Sequence, residues 1–220
     1  MTDNPLMLPK SIVISWLIIL ILFLSSWILR KQLKEPPNTY QTIAEGIYLA
    51  MYNAIKEVLP DHVELVLPFI ATLWIFITLA NLIGIIPGFS SPTADLSITT
   101  SLAVLTFCSV HWFGIRAEGL ASYLRHYIKP SPFLLPFHLI SELSRTVALA
   151  LRLFGNMMSL ELTALIVLMV AGFLAPIPIL MLHLLEAIIQ AYIFGILALI
   201  YIAGGIQSQI ERKQKELLHG

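Results

Sequence analysis

The segment "FHLISELSRTVALALRLFGNMMSLELTALIVLMVAGFLA", Phe137 to Ala175, contains no proline and has helical spacing of its polar residues. As one helix it would extend about 58 Å, nearly twice the roughly 30 Å hydrocarbon core of a membrane. Only "LAPIP" separates it from a second long segment, 178–209. We therefore expect an antiparallel hairpin of two long helices that must tilt steeply, bend or protrude if they lie in a membrane.

The composition places these helices in a membrane. Of 220 residues, 58% are hydrophobic and 12% are charged, and the mean hydropathy is +0.86, whereas soluble domains have roughly 45–50% apolar residues. The net charge of zero excludes a polybasic nucleic-acid binder, and the single Cys108 permits no internal disulfide. We predict an all-α integral membrane protein with one membrane domain, 1–220.

Shorter apolar runs precede the hairpin and predict three further spans, with an interfacial or re-entrant amphipathic helix among them. These segments are 11–29 (first span), 42–59 (amphipathic helix), 63–86 (second span) and 97–115 (third span). The first run could also be a cleaved signal peptide. An anchor is favoured because the basic cluster Arg30–Lys34 follows the run and no A-x-A cleavage site is visible.

Lysine and arginine are distributed unevenly between the two sides that five spans define. Ten fall on one side: Arg30, Lys31, Lys34, Lys56, Arg116, Arg125, Lys129, Arg212, Lys213 and Lys215. Lys10 alone falls on the other, and two arginines lie inside the fourth span. Because cytoplasmic loops are enriched in Lys and Arg, this split predicts an outside N-terminus and a cytoplasmic C-terminus.

Arg152 lies within the fourth span, where an arginine costs roughly 2.5–3.5 kcal/mol on insertion scales and therefore suggests a function. The structural alternative is an ion pair with Glu161 or Glu186. Glu161 follows by nine residues, about 180° around the helix, so the two side chains should face different neighbours. Polar residues within about 40° of the arginine form a stripe on its own face: His138, Ser141, Arg145, Asn156 and Ser159.

The last span carries a second polar group. His183, Glu186 and Gln190 follow one another at i, i+3 and i+7, on one helical face. Such a series could relay a proton, or it could be an interhelical hydrogen-bonded lock; the relay is favoured because three polar residues exceed what a lock needs. His62 and His111 stand singly near helix ends, where a satisfied or solvent-facing histidine is expected. No catalytic order, metal-ligand spacing or phosphate loop is visible.

Three motifs resemble one family. "LALRLFGNMMSLEL" (149–162) closely resembles the signature of subunit a, the stator subunit in the membrane sector of F-type rotary ATP synthases. "NLIGIIPG" (81–88) is similar to the family's second-helix motif, and "HLLEAIIQAYIF" (183–194) to its last helix. The resemblance covers roughly residues 60–208.

The resemblance implies that Arg152 separates two aqueous half-channels and faces the carboxylate of each passing subunit of the rotor c-ring. It assigns to the outer half-channel Asn156, Glu161, His183 and Gln190, with Asp95 at its mouth, and to the cytoplasmic half-channel Ser141. This chain departs from the family pattern in two places, and we include His138, Glu142 and Glu186 in the predicted ion path. His138 stands where relatives often have a carboxylate, Glu142 is the nearby carboxylate, and Glu186 is an addition.

The same resemblance implies a subunit without catalytic activity of its own, without cofactor or metal, that couples proton flow to c-ring rotation for ATP synthesis. It implies a bacterial plasma membrane location and, as partners, the c-ring, the peripheral-stalk b subunits and membrane lipid. A sodium-translocating version is the alternative. A secondary transporter is less favoured because no internal repeat is visible, and a stator for another motor would need a large cytoplasmic domain.

Overall fold

A computed structural model describes residues 9–31, 39–86, 89–118, 135–172 and 175–219. Within these ranges the chain forms helices and no strand. The six α-helices are α1 (Lys10–Lys31), α2 (Thr39–Val58), α3 (Val63–Ile83), α4 (Leu96–Glu118), α5 (Leu135–Ala171) and α6 (Ile177–His219), and 3-10 turns at Pro60–His62 and Pro92–Ala94 precede α3 and α4.

Five of the described helices are long and apolar enough to cross a membrane, namely α1, α3, α4, α5 and α6. The predicted all-α membrane fold with five candidate spans is therefore confirmed. The amphipathic α2 is not among them, because its charged and polar residues recur at helical spacing among the apolar ones.

The two long helices differ from their predicted bounds at their ends. α5 has 37 residues, about 55 Å, and ends at Ala171 because Gly172 adopts a left-handed φ of 83°, a conformation that terminates helices. α6 has 43 residues, about 64 Å, and extends ten residues beyond the predicted end at 209. The extension consists mainly of residues with good helix propensity, "IERKQKELLH".

The core is built around α6, which packs against α3, α4 and α5. Small side chains on α6 are buried at Ala187, Ala191 and Ala198, and such residues allow helix backbones in a membrane to approach closely. Gly195 continues this row and receives Trp74 of α3, whose indole N–H donates to the Tyr192 carbonyl at 3.2 Å. The helix that carries the predicted relay is thereby held in the centre of the bundle.

The bundle has two chemically different ends. At one, here called the loop end, the 89–95 segment contacts the start of α1 through Asp95 and contacts α5 through Glu161. At the other, here called the basic end, Arg30 and Lys31 close α1 and Arg116 lies in the last turn of α4. Three further cations of the predicted cytoplasmic side lie outside the described residues: Lys34, Arg125 and Lys129.

Candidate functional site

Arg152 lies near the middle of α5 with its side chain exposed. Its guanidinium has no hydrogen-bond or ion-pair partner among the described residues, and the neighbouring Leu151 and Met158 are exposed apolar side chains. The alternative of an ion pair with Glu161 or Glu186 is thus not formed within the described part of the chain. An exposed cation within a membrane-spanning helix needs a compensating charge or water from outside the helix.

Glu161 is directed toward the loop end. Its Oε1 accepts a hydrogen bond from the backbone N–H of Ser91 at 2.5 Å. Gly84 makes this approach possible, because a Cβ added there would lie 3.0 Å from Glu161 Oε1 and 2.9 Å from Ser91 Cβ. Any side chain at position 84 would have to displace the carboxylate or the loop.

A buried polar network extends from Ser91 to α6. Ser91 Oγ donates to the Ala80 carbonyl at 2.8 Å and lies 2.6 Å from Thr93 Oγ1. Thr93 Oγ1 donates to Asn81 Oδ1 at 2.5 Å, and Asn81 Nδ2 donates to the Ala187 carbonyl at 3.1 Å. Buried polar groups are costly without such bonds. The network therefore fixes the 91–95 segment, and with it the Glu161 carboxylate, against α3 and α6.

Asn156 and Gln190 connect the two long helices directly. Asn156 Nδ2 donates to Gln190 Oε1 at 2.8 Å, whereas the buried Gln190 Nε2 meets no hydrogen-bond partner in the described part of the chain. The same holds for Nε2 of His183, seven residues earlier on α6 and also buried. Because an unpaired buried polar atom is costly, each nitrogen is an expected contact point for water or an ion.

Glu186 lies beside the buried face of α6 that carries His183 and Gln190, and not on that face. Three residues after His183, it is rotated about 60° away around the helix, is half-buried and makes no hydrogen bond or ion pair with other described residues. The predicted series of His183, Glu186 and Gln190 is therefore not a continuous hydrogen-bonded chain. Of the three, Gln190 alone forms an interhelical bond to a described side chain.

Asp95 joins three elements at the loop end. Its Oδ1 accepts hydrogen bonds from the backbone N–H and the hydroxyl of Ser97, at 2.9 and 2.6 Å, which caps α4. Its Oδ2 accepts a hydrogen bond from Ser11 of α1 at 2.5 Å. The hydroxyls of Ser11 and then Ser97 stabilise the ionised carboxylate and lower the pKa of Asp95 below its usual value.

The predicted residues of the other half-channel lie toward the basic end. Ser141 is exposed, and the half-buried Glu142 on α5 brings its Oε2 to 3.6 Å from Nε2 of His111 on α4. The side chain of His138 lies outside the part of the chain that the structure describes. Glu142 precedes Arg152 by about 15 Å along α5 and Glu161 follows it by about 14 Å, so carboxylates flank the arginine on both sides.

Sequence reasoning missed four residues of this arrangement. Asn81 was noted only as part of a family motif, although an amide in an apolar span is itself a signal. Ser91 and Thr93 lie between the predicted second and third spans, where no function is expected from the sequence, and His111 is expected to be a satisfied or solvent-facing histidine near a helix end. No spacing rule links His111 with Glu142, because the two lie on different helices.

Comparison with known proteins identifies the family. The sequence matches the family model described as ATP synthase A chain over residues 12–203. The chain belongs to the ATP synthase subunit a family. ATP synthase subunit a of Legionella pneumophila (strain Paris) is 68% identical over 210 residues, covering 95% of this chain and 91% of the relative.

More distant relatives agree. ATP synthase subunit a 2 of Pelobacter propionicus is 56% identical over 214 residues, covering 97% of this chain and 94% of the relative. ATP synthase subunit a of Nitrosospira multiformis is 43% identical over 195 residues, covering 88% of this chain and 78% of the relative. The resemblance found in the motifs is therefore confirmed, and this subunit a is a multi-pass, non-catalytic membrane subunit of a bacterial F-type ATP synthase.

Proposed function

We propose that this subunit a is the stator that couples ion flow to rotation of the c-ring, with Arg152 as the barrier between two half-channels. The observation that carries the proposal is the guanidinium exposed near the middle of the membrane-spanning α5 without a partner among the described residues. Within a membrane this guanidinium needs a partner that supplies a negative charge. A carboxylate on each c-ring subunit would supply that charge as the ring passes.

The barrier depends on a cation that keeps its proton. A guanidinium stays charged in a desolvated site, whereas a lysine there can deprotonate and lose both the attraction for the ring carboxylate and the barrier to ions. A ring carboxylate that has lost its ion can then pass the stator as an anion because Arg152 compensates it. The membrane potential contributes about 2.3 kcal/mol per elementary charge per 100 mV.

The outer half-channel is assigned to the loop end. Glu161 and the Asn156–Gln190 pair lie between Arg152 and that end, and the unpaired nitrogens of His183 and Gln190 support a hydrated path there. Asp95 and Glu186 complete the acidic groups on this side. The path conducts protons in this proposal, because a neutral imidazole can relay a proton while its protonated form would repel sodium.

The cytoplasmic half-channel is assigned to the basic end, with Ser141, Glu142 and His138 as its polar residues. The excess of lysine and arginine toward this end supports a cytoplasmic C-terminus by the positive-inside rule. The c-ring occupies the exposed face of α5 and α6 that carries Arg152. Peripheral-stalk b subunits and membrane lipid cover apolar surface elsewhere, such as the exposed side of α1.

Substitution of Arg152 tests the proposal. In vesicles containing the whole complex, Arg152→Ala and Arg152→Lys should each reduce coupled ATP synthesis by at least about tenfold, equivalent to about 1.4 kcal/mol, because neither keeps a permanent cation in the barrier. The amount of subunit a in the vesicles, measured by immunoblot, shows whether a loss of ATP synthesis comes from failed assembly instead.

Arg145→Lys is the matched control. Arg145 lies on the same helix and its guanidinium stands 5.5 Å from the ring centre of Tyr201, a contact that a lysine can also make. This variant should retain most of the ATP synthesis. Wild-type synthesis with Arg152→Lys, or an equal loss in both lysine variants, would contradict the assignment of the barrier to Arg152.

A further inference from the structure

A main-chain group holds the carboxylate of Glu161, a residue of the proposed outer half-channel. Its Oε1 accepts the backbone N–H of Ser91 at 2.5 Å, and Glu161 makes no other hydrogen bond or ion pair with the described residues. A backbone N–H does not titrate, and the fold sets its position. The orientation of the carboxylate therefore depends on what fixes the backbone at Ser91.

The end of α3 provides the fixed point for Ser91. The Gly84 N–H donates to the Asn81 carbonyl at 3.3 Å, and the next two N–H groups continue this i→i+3 pattern. The tightened turn takes the Gly84 N–H away from the Ala80 carbonyl, its usual helical acceptor, and Ser91 Oγ donates to that carbonyl at 2.8 Å. Ser91 is 2% exposed, so water does not compete for this bond.

Gly84 provides the space that the carboxylate occupies beside this turn. A Cβ at position 84 would lie 3.0 Å from Glu161 Oε1 and 2.9 Å from Ser91 Cβ, closer than such atoms normally approach. The φ of Gly84 is −64°, which any residue can adopt. Glycine is therefore needed here for space and not for its backbone conformation.

The two oxygens of the Glu161 carboxylate are chemically unequal. A backbone N–H only donates, so Oε1 acts as an acceptor both in the ionised and in the protonated form. In a protonated carboxyl group the carbonyl oxygen is the better acceptor, so the proton belongs on the other oxygen, Oε2. Oε2 accepts no hydrogen bond from the described residues, and the side chain is half-buried.

We infer that Ser91 and Gly84 are positioning residues for Glu161, which hold Oε1 at the loop and leave Oε2 as the oxygen that carries the transported proton. The inference rests on the proposed function for the place of Glu161 in the outer half-channel, whereas the orientation of its carboxylate follows from the contacts alone. It gives a role to two residues that bring no titratable group to the path.

Proton transfer at Oε2 balances with water as the only co-reactant. A hydronium ion on the outer side gives a proton to Oε2 and becomes water. The O–H of Glu161 then gives this proton to a second water molecule toward the Asn156–Gln190 pair, and the carboxylate is regenerated. Because the Ser91 N–H stays on Oε1 throughout, the side chain exchanges protons without leaving the loop.

Infrared spectroscopy measures the orientation directly. The C=O stretch of a carboxyl group falls in frequency when its oxygen accepts a hydrogen bond. The intact complex, with 13C-glutamate in this subunit, is acidified until the carboxyl bands appear, and Glu161→Gln assigns the Glu161 band. We expect Ser91→Ala and Gly84→Ala to move this band to higher frequency, because each disturbs the N–H bond to Oε1.

Proton flux measures the role in transport. In vesicles stripped of the catalytic sector, Glu161→Gln should slow passive proton flux by about tenfold, less than the hundredfold or more typical of a general acid or base, because water in the path can replace part of its function. Ser91→Ala and Gly84→Ala should each slow the flux by about threefold, since the carboxylate remains but is misplaced.

Double variants separate positioning from general damage to the fold. In the Glu161→Gln background, Ser91→Ala and Gly84→Ala should cause no further loss of flux, because both act through a carboxylate that is already absent. A structural defect would instead add to the loss.

Ser109→Ala and Gly204→Ala are the matched controls. Ser109 is also a buried serine whose hydroxyl donates to a backbone carbonyl, that of Thr106, at 2.6 Å. Gly204 is a glycine whose added Cβ would meet no atom within 4 Å. Both variants should keep the wild-type flux and the wild-type Glu161 band.

An unmoved Glu161 band in both Ser91→Ala and Gly84→Ala overturns the orientation. Wild-type flux in both, or losses that add to that of Glu161→Gln, overturn the positioning role. Failure of the proposed function gives a different result. Wild-type flux in Glu161→Gln would place this residue outside the path, and loss of the Arg152 assignment would remove the barrier, but neither would change the infrared bands.

Discussion

Arg152 and Glu161 share one helix and differ in what surrounds them. Half a turn of rotation separates them, so Glu161 reaches the backbone of Ser91 while Arg152 remains exposed without a described partner. If the two were paired, neither charge would be available to a passing ion or carboxylate. In the proposed function, this separation permits Arg152 to act as the barrier and Glu161 as part of a path.

Removal of Glu186 should slow ion delivery without uncoupling the complex. The carboxylate is half-buried without a bond to a described residue, beside the buried His183 and Gln190. In the proposed function it attracts cations to the path and is not part of the barrier. We expect Glu186→Leu to reduce ATP-driven pumping by a few-fold, up to about tenfold, or about 1.4 kcal/mol. Pumping is measured with a pH dye in vesicles that contain the whole complex.

The arginine barrier remains in this variant, so passive proton leak should not increase. Glu64→Gln provides a control for loss of an exposed carboxylate elsewhere in the chain. A Glu186→Leu variant that leaks protons freely would instead place Glu186 in the barrier, and its assignment to the outer half-channel would be wrong.

The α3–α6 contact depends on the absence of a side chain at Gly195. A Cβ there would lie 1.9 Å from Trp74 Nε1, and Trp74 also stacks on Tyr192 at a centroid distance of 5.9 Å. We expect Gly195→Ala to displace the indole, break its bond to the Tyr192 carbonyl and destabilise the chain by about 1–3 kcal/mol, the range for overpacked cores. Thermal denaturation in a mild detergent at a fixed scan rate measures this.

Gly204→Ala, on the same helix, is the matched control. A Cβ at Gly204 meets no atom within 4 Å, so this variant should be neutral or more stable by up to about 1 kcal/mol, because alanine favours the helix. Equal thermal stability of the two variants would show that Trp74 does not pack on Gly195 as described.

Capping of α4 by Asp95 should make stability depend on pH. The pKa of Asp95 is lowered in the folded chain, so its contribution is present above the unfolded pKa and is lost as pH falls through the folded pKa, below about pH 4. We expect Asp95→Ala to be less stable than wild type by about 1 kcal/mol at neutral pH, the usual value of a helix cap. The difference should shrink in acid.

Thermal denaturation at neutral and acidic pH measures the effect. Ser11→Ala serves as the control, because it removes the bond to α1 and leaves the cap on Ser97 intact. It should therefore lose less stability than Asp95→Ala. A difference between Asp95→Ala and wild type that grows as the pH is lowered would contradict the sign of the pKa change.

In the proposed function the identity of the transported ion depends on the whole complex, because the c-ring would bind the ion that the half-channels deliver. We expect protons, since His183 lies buried on the proposed path and a protonated imidazole would repel sodium. ATP-driven pumping in reconstituted vesicles, with and without sodium, should acidify the lumen equally in both. A protonophore should abolish the acidification.

Sodium-dependent ATP hydrolysis without acidification, with sodium uptake enhanced by the protonophore, would overturn the proton prediction. The proposed stator role would then remain, because Arg152 would compensate a ring carboxylate whichever ion has left it. Proton pumping and sodium pumping would differ only in the ion that the path conducts.

The sequence by itself determined the class of fold and the family. Five apolar runs of membrane length predict five spans because the hydrocarbon thickness sets a minimum helix length, and helical periodicity places Glu161 opposite Arg152. The motif around Arg152 was sufficient for the resemblance that the comparisons confirm. These features are local, so they can be derived from residue type and spacing along one helix.

Tertiary structure alone decided which polar groups meet. The contacts of Glu161 with Ser91, Asn156 with Gln190 and His111 with Glu142 each cross between elements. Such contacts depend on how neighbouring helices are rotated and shifted against one another. That register is set by the packing of many small and large side chains, among them Gly195 against Trp74. The periodicity of a single helix does not specify the register between helices.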